Sequence, residues 1–158
     1  MNKLGLKIGL KFGLLLGIVN GVMIYLSNVT FASNASDNGA LTAAWLLVMM
    51  AVFTFPGSEV SKQTKDNNQP YIAGAVTAAM AFLITMAIFF IVDNIYLNTV
   101  SQQADKIYAF NASGAVDMRS VINQGLLRGL LLGLPLAALV GSICGKFGAY
   151  VFAKRVKS

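Results

Sequence analysis

The stretch GLKIGLKFGLLLGIVNG, Gly5 to Gly21, decides how this chain is read. It is apolar, its only charges are Lys7 and Lys11, and it places glycine at positions 5, 9, 13, 17 and 21. In water such a run would make a poor helix, because each glycine costs about 1 kcal/mol against alanine. In lipid the same glycines let two helix backbones approach closely, and helix association there depends on such packing. Four residues advance about 400° around a helix, so the stripe turns only about 40° per step. Gly5, Gly9, Gly13, Gly17 and Gly21 therefore share one slowly turning groove, and the stretch predicts a membrane-crossing helix with one small-residue face.

The rest of the chain agrees with a membrane setting. It has 158 residues, 56% hydrophobic and 11% charged, where soluble domains carry about 25% charged residues. Four continuous apolar stretches occur, Ile8–Leu26, Ala40–Phe55, Tyr71–Val92 and Gly129–Gly145. A hydrocarbon core of about 30 Å takes roughly 20 helical residues, so each stretch can cross with help from its flanks. The runs are continuous instead of alternating, which disfavours a β-barrel. The reading is a single all-α domain with four membrane helices packed as an antiparallel bundle, at about 5–26, 40–57, 71–93 and 115–152. The basic head followed by an apolar run has the outline of a signal peptide, but the run is longer than a typical signal core and is read as a span.

Charge gives an orientation. Lys3, Lys7, Lys11, Lys62, Lys65, Lys154, Arg155 and Lys157 fall on one side of a four-span chain; Lys106 and Arg119 fall on the other. The positive-inside rule then places both termini in the cytoplasm and the protein in the plasma (inner) membrane. The net charge of +6 is accounted for by topology, so nucleic acid is not an expected partner. Three Asn-x-Ser/Thr triplets, at Asn28, Asn34 and Asn111, lie in outer segments and are read as incidental to loops rich in Asn and Ser.

The fourth span repeats the small-residue device with Gly125, Gly129, Gly133, Gly141 and Gly145, Ala137 keeping the step. The first and fourth helices are expected to pack on each other, within the chain or between subunits. Lys3, Lys7 and Lys11 keep the same four-residue step about 200° from the glycines. They are placed to meet lipid headgroups, each worth about 1 kcal/mol near an anionic surface.

Polar residues mark one end of the bundle. Asp93 closes the third span and Arg128 opens the fourth, so the two are expected to pair across the outer interface. Asn94 and Gln124 flank them, and Asn20 is placed to reach the group from the first helix. The cluster reads as an interhelical clasp or as an entry site for a solute or ion. Pro56-Gly57 is expected to end the second helix, with Glu59 pairing with Lys62, and Pro135 to kink the fourth. Trp45 reads as an interface anchor. Apolar residues recur at helical spacing from Ile95 to Tyr108, so the third helix should run on to near Phe110, turn at 111–114, and form an outer hairpin with the fourth.

Catalytic chemistry has little to work with. There is no His and one Cys, Cys144, and the six acids make no close motif. That disfavours a His/Cys metal site, a Cys/His pair and a Ser/His/Asp triad, and no cofactor is implied. The expectation is a non-enzymatic integral membrane protein acting through helix packing, as a homo-oligomer or an accessory subunit of a bacterial membrane complex. Its partners would be membrane lipids and itself or other membrane subunits. The competing expectation is a small-solute or ion transporter or channel with an outer site near Asp93 and Arg128.

Overall fold

The computed structural model describes residues 3–30 and 39–155. Among these every regular element is helical: α1 (Leu4–Tyr25) with a π-helical turn at Leu26–Thr30, α2 (Gly39–Val52), α3 (Thr54–Gln63), α4 (Gln69–Ile95), α5 (Leu97–Val100), α6 (Ala104–Ser113) and α7 (Met118–Arg155). Four segments are long and apolar enough to cross a membrane, Leu4–Thr30, Ala44–Gln63, Gln69–Ile95 and Met118–Val151.

α4 is the hub. α1 packs along it, α7 packs along it, and α3 touches α1, α4 and α7. The glycines of α1 are all buried, and they lie on α4, not on the last helix as the sequence suggests. A Cβ at Gly5 would stand 2.6 Å from the Gln69 carbonyl oxygen, at Gly9 2.8 Å from that of Ala73, and at Gly13 2.9 Å from that of Thr77. Gly17 meets Ile84 and Gly21 meets Ile88. Residue numbers rise together on both helices, so α1 and α4 run in the same direction. Two hydrogen bonds cross the seam: Gly5 N–H donates to Gln69 Oε1 at 2.8 Å, and Thr77 Oγ1 donates to the Gly9 carbonyl at 3.2 Å.

The reason for the change of partner lies in α4, which carries two rows of small residues. Ala73, Thr77 and Ala81 step by four, and Gly74 and Ala78 form a second row one residue on, about 100° around the helix. The first row serves α1. The second serves α7, where Gly74 meets the backbone of Gly141 and Gly145, and Gly141 meets Ala78.

The stripe of α7 is only partly used. Gly145, Gly141 and Gly133 are in close contact with α4, the last against Phe82. A Cβ at Gly129 would meet only Met86, at 3.6 Å, and one at Gly125 would meet nothing within 4 Å. A stripe that turns about 40° per step runs off the contact face unless the helices cross at a matching angle. Gly57, read from sequence as part of a helix exit, and Gly148, not singled out there, bring α3 against α7 through Gly145 and Thr54.

The second span is broken. Pro56 and Gly57 do not end it; they are buried in the first turn of α3, which continues to Gln63. Pro56 has no N–H for the Val52 carbonyl and its ring crowds that carbonyl, so the regular helix stops at Val52 and restarts with proline in the first turn, where it is tolerated. Thr54 Oγ1 donates to the Ala51 carbonyl at 2.6 Å and satisfies one acceptor at the break. Pro135, by contrast, sits inside α7 without interrupting it.

Beyond Ile95 the chain is helical in pieces. α4 stops with Tyr96 as its cap, α5 is one turn, and α6 ends at Gly114, whose φ of 64° is left-handed and suits glycine. The sequence reading of one continuous helix to Phe110 and a turn at 111–114 is corrected accordingly: Asn111, Ala112 and Ser113 are helical.

A candidate polar site where α1 and α4 end

The seam between α1 and α4 carries a polar ladder. Gln69, Thr77, Thr85 and Asp93 lie eight residues apart on α4. Eight residues advance about 800°, the same drift as two steps of the glycine stripe, so all four follow the line along which α1 lies. The two nearest the lysine-rich end are satisfied, Gln69 by Gly5 and Asp66, and Thr77 by Gly9 and Ala73.

The other two are not. Thr85 Oγ1 and both carboxylate oxygens of Asp93 are buried without a hydrogen bond, and so is Oδ1 of Asn20 on α1. Gly17 meets Ile84 and Gly21 meets Ile88, which sets Thr85 beside the Gly17 contact and Asn20 next to the Gly21 contact. Asp93 lies about 12 Å beyond Thr85 along α4 at 1.5 Å per residue. The three groups therefore follow one another along the seam, Thr85, Asn20 and then Asp93.

Asp93 is fully buried, at 0% relative exposure. The Asn28 side chain from the π-helical turn stands beside it, yet neither carboxylate oxygen has a hydrogen bond of normal geometry. Gln103 Nε2 donates to the Asn28 carbonyl at 3.4 Å, and Val100 of α5 is fully buried nearby in sequence. The turn and α5 are in contact, so the two short elements form a cap over this end of the seam. Tyr25 and Tyr96 meet edge-on with ring centres 5.7 Å apart, and the hydrogen bond with Tyr25 pushes the Tyr96 phenol above its ordinary range.

The expected pair of Asp93 with Arg128 is not formed. Among the described residues the ion pairs are Lys62–Glu59 at 3.1 Å and Lys106–Asp105 at 3.5 Å. Arg128 is exposed on α7. The residue of α4 that turns to α7 at this level is Asn94, about 100° from Asp93. Asn94 Nδ2 donates to Asn123 Oδ1 at 2.8 Å, while Gln124 is exposed and bonds Ser120 on its own helix. Asn28, Gln103 and Asn123 were missed from sequence. Asn123 sits one residue from the expected Gln124; the other two come from short elements whose periodicity is too brief to place them.

Lys3, Lys7 and Lys11 are exposed at the far end of α1, away from the seam. Of the expected outer group, the structure brings Asn20 and Asp93 to one seam, sets Asn94 on the neighbouring face, and leaves Gln124 and Arg128 outside. The buried donors that remain are all oxygens, suited to a proton or a hard cation and not to a soft metal. No family model, no curated protein and no solved structure matches this chain.

Proposed function

We propose that this is a non-enzymatic integral membrane protein that binds a proton or a small monovalent cation at the Asp93 end of the α1–α4 seam and works as a small-ion carrier. Multi-pass placement in the plasma membrane with both termini cytoplasmic belongs to the same reading. The observation that carries it is the buried carboxylate of Asp93, which has the Asn28 side chain beside it and the Lys106 charge in range but no hydrogen bond of normal geometry, together with the unpartnered oxygens of Asn20 and Thr85 along the same seam. An ionised carboxylate in such a place costs several kcal/mol, and a bound proton or cation offsets that cost. Ionisable groups inside membrane proteins commonly mark ion pathways. Below Thr85 the backbones of α1 and α4 are in contact, which favours a carrier that must shift α1 over an open channel.

The test is uptake of sodium, potassium or protons into liposomes holding the purified protein. The reading expects saturable uptake of one of these, lost in Asp93→Asn and kept in Arg128→Gln. Uptake indifferent to Asp93→Asn, or no saturable uptake or binding of any of the three, overturns it.

A second reading, a homo-oligomer or accessory subunit held by helix packing in an antiparallel bundle, draws support from α7. That helix leaves Leu131, Leu132, Leu136, Leu139, Ile143 and Phe147 exposed along its length. Its glycines give less support, because those in contact are already used against α4 and α3. Native mass spectrometry in the protein's own lipids decides it: a multiple of 16.8 kDa or co-purifying subunits favours assembly, and a monomer refutes it.

A further inference from the structure

α4 and α7 touch backbone to backbone at Gly74 and Gly141, are still bridged by Phe82 against Gly133, and then part. Beyond that point Met86 approaches Gly129, and the Asn94–Asn123 hydrogen bond joins the two helices again. Between those bridges lies a cavity of about 620 Å³, lined by Leu83, Ala87 and Phe90 of α4 and by Leu126, Leu127 and Leu130 of α7, with Asn123 at its upper edge. That size falls within the range of about 300–1,000 Å³ typical of ligand sites.

Its lining suits a hydrocarbon chain. From Phe82 to Asn94 is twelve residues of helix, about 18 Å, and apart from Asn123 the walls are apolar. Above the cavity the chemistry changes. Arg119 stands one turn before Asn123, about 40° from it around α7 and so on the same face. It is exposed and takes part in neither ion pair found among the described residues.

We propose that the cleft between α4 and α7 binds one anionic phospholipid, an acyl chain lying against Leu83, Phe90 and Leu127 and the phosphate held by Arg119 beside the Asn94–Asn123 amides. Guanidinium binds phosphate through two parallel hydrogen bonds; Asn94 donates both amide N–H groups within the protein, while Asn123 Nδ2 has one N–H beyond its bond to Asn94 Oδ1 to offer at the level where a headgroup begins. This site is separate from the Asp93 seam, since Asn94 rather than Asp93 turns toward α7. It is also at the opposite end of the molecule from Lys3, Lys7 and Lys11.

The experiment is native mass spectrometry of the delipidated full chain titrated with phosphatidylglycerol or phosphatidylcholine of identical chains. The wild type is expected to hold one phosphatidylglycerol per chain about tenfold more tightly than phosphatidylcholine. Arg119→Gln should remove that preference while leaving chain binding, and Ala87→Phe, which fills the cleft, should weaken both lipids. Replacing Lys3, Lys7 and Lys11 together by Gln should leave the preference intact. If the preference survives Arg119→Gln, or is lost with the lysine variant instead, the assignment is wrong. Equal binding of both lipids by the wild type also overturns it. Should Ala87→Phe fail to fold, the arginine and lysine variants still decide.

Discussion

Replacing Gly13 by leucine puts the α1–α4 seam to a direct test. A Cβ at this position would stand 2.6 Å from the Met80 Cβ and 2.9 Å from the Thr77 carbonyl oxygen. Ordinary contact starts near 3.4 Å, so the Cβ alone drives the helices apart by about 0.8 Å, and the isobutyl group drives them further. The Thr77-to-Gly9 hydrogen bond, already 3.2 Å long, is lost on the way. Overpacking costs about 1–3 kcal/mol, and an interhelical hydrogen bond in a membrane averages about 0.6 kcal/mol. The expected loss is therefore roughly 2–4 kcal/mol. The comparison is Gly125→Leu, where nothing lies within 4 Å and a change within about 0.5 kcal/mol is expected. Cys144 is the only cysteine and is buried, so a thiol-reactive dye added to detergent-solubilised protein reports unfolding through a single probe. Equal melting of the two variants would refute the packing argument, and a larger loss at Gly125 would reverse it.

Three further outcomes follow from the geometry. Asp93→Asn should leave the fold as stable as the wild type or more so, because it removes an unpaired buried charge, while abolishing cation binding; a large loss in the same dye melt would mean that the carboxylate has a structural partner. Asp66 is held below the usual carboxylate range by the Asn68 backbone N–H, then by the Gln69 side chain. A depressed carboxyl stabilises the fold above its unfolded value and loses that contribution as pH falls through the folded value, so Asp66→Asn should be slightly destabilising at neutral pH, with the defect shrinking as the pH is lowered through and below the usual carboxylate range; a defect that grows on acidification contradicts this. Pro56→Ala restores the missing donor opposite Val52, and amide exchange at residues 53–56 should slow as α2 and α3 fuse; unchanged exchange there would mean that the α3 contacts, not the proline, set the break.

The sequence carries the four spans because each apolar run is long and uninterrupted by charge, which is a local property. What it hides is pairing. A four-residue stripe says that a backbone will come close and not whose, and the answer lay in the two quieter rows of α4, where alanine and threonine stand in for glycine. Proline at position 56 is visible, but its effect falls one turn upstream, and Pro56-Gly57 reads equally well as an exit. At the candidate site, opposite charge suggested Asp93 with Arg128, whereas the turn of α4 directs Asn94 to α7 and Asp93 to Asn28. No periodicity in a five-residue turn could have announced Asn28.

The parallel course of α1 and α4 has a consequence for how the protein is made. Their seam hydrogen bonds join residues 64 and 68 positions apart, so the glycine face of α1 emerges from the ribosome long before its counterpart exists. At about 5–20 residues per second, the stretch from Tyr25 to Ile95 takes several seconds to synthesise. Throughout that interval the first helix has an open backbone groove. A chain cut short before α4 keeps that groove for good, free to lie against α4 of an intact copy in place of that copy's own α1.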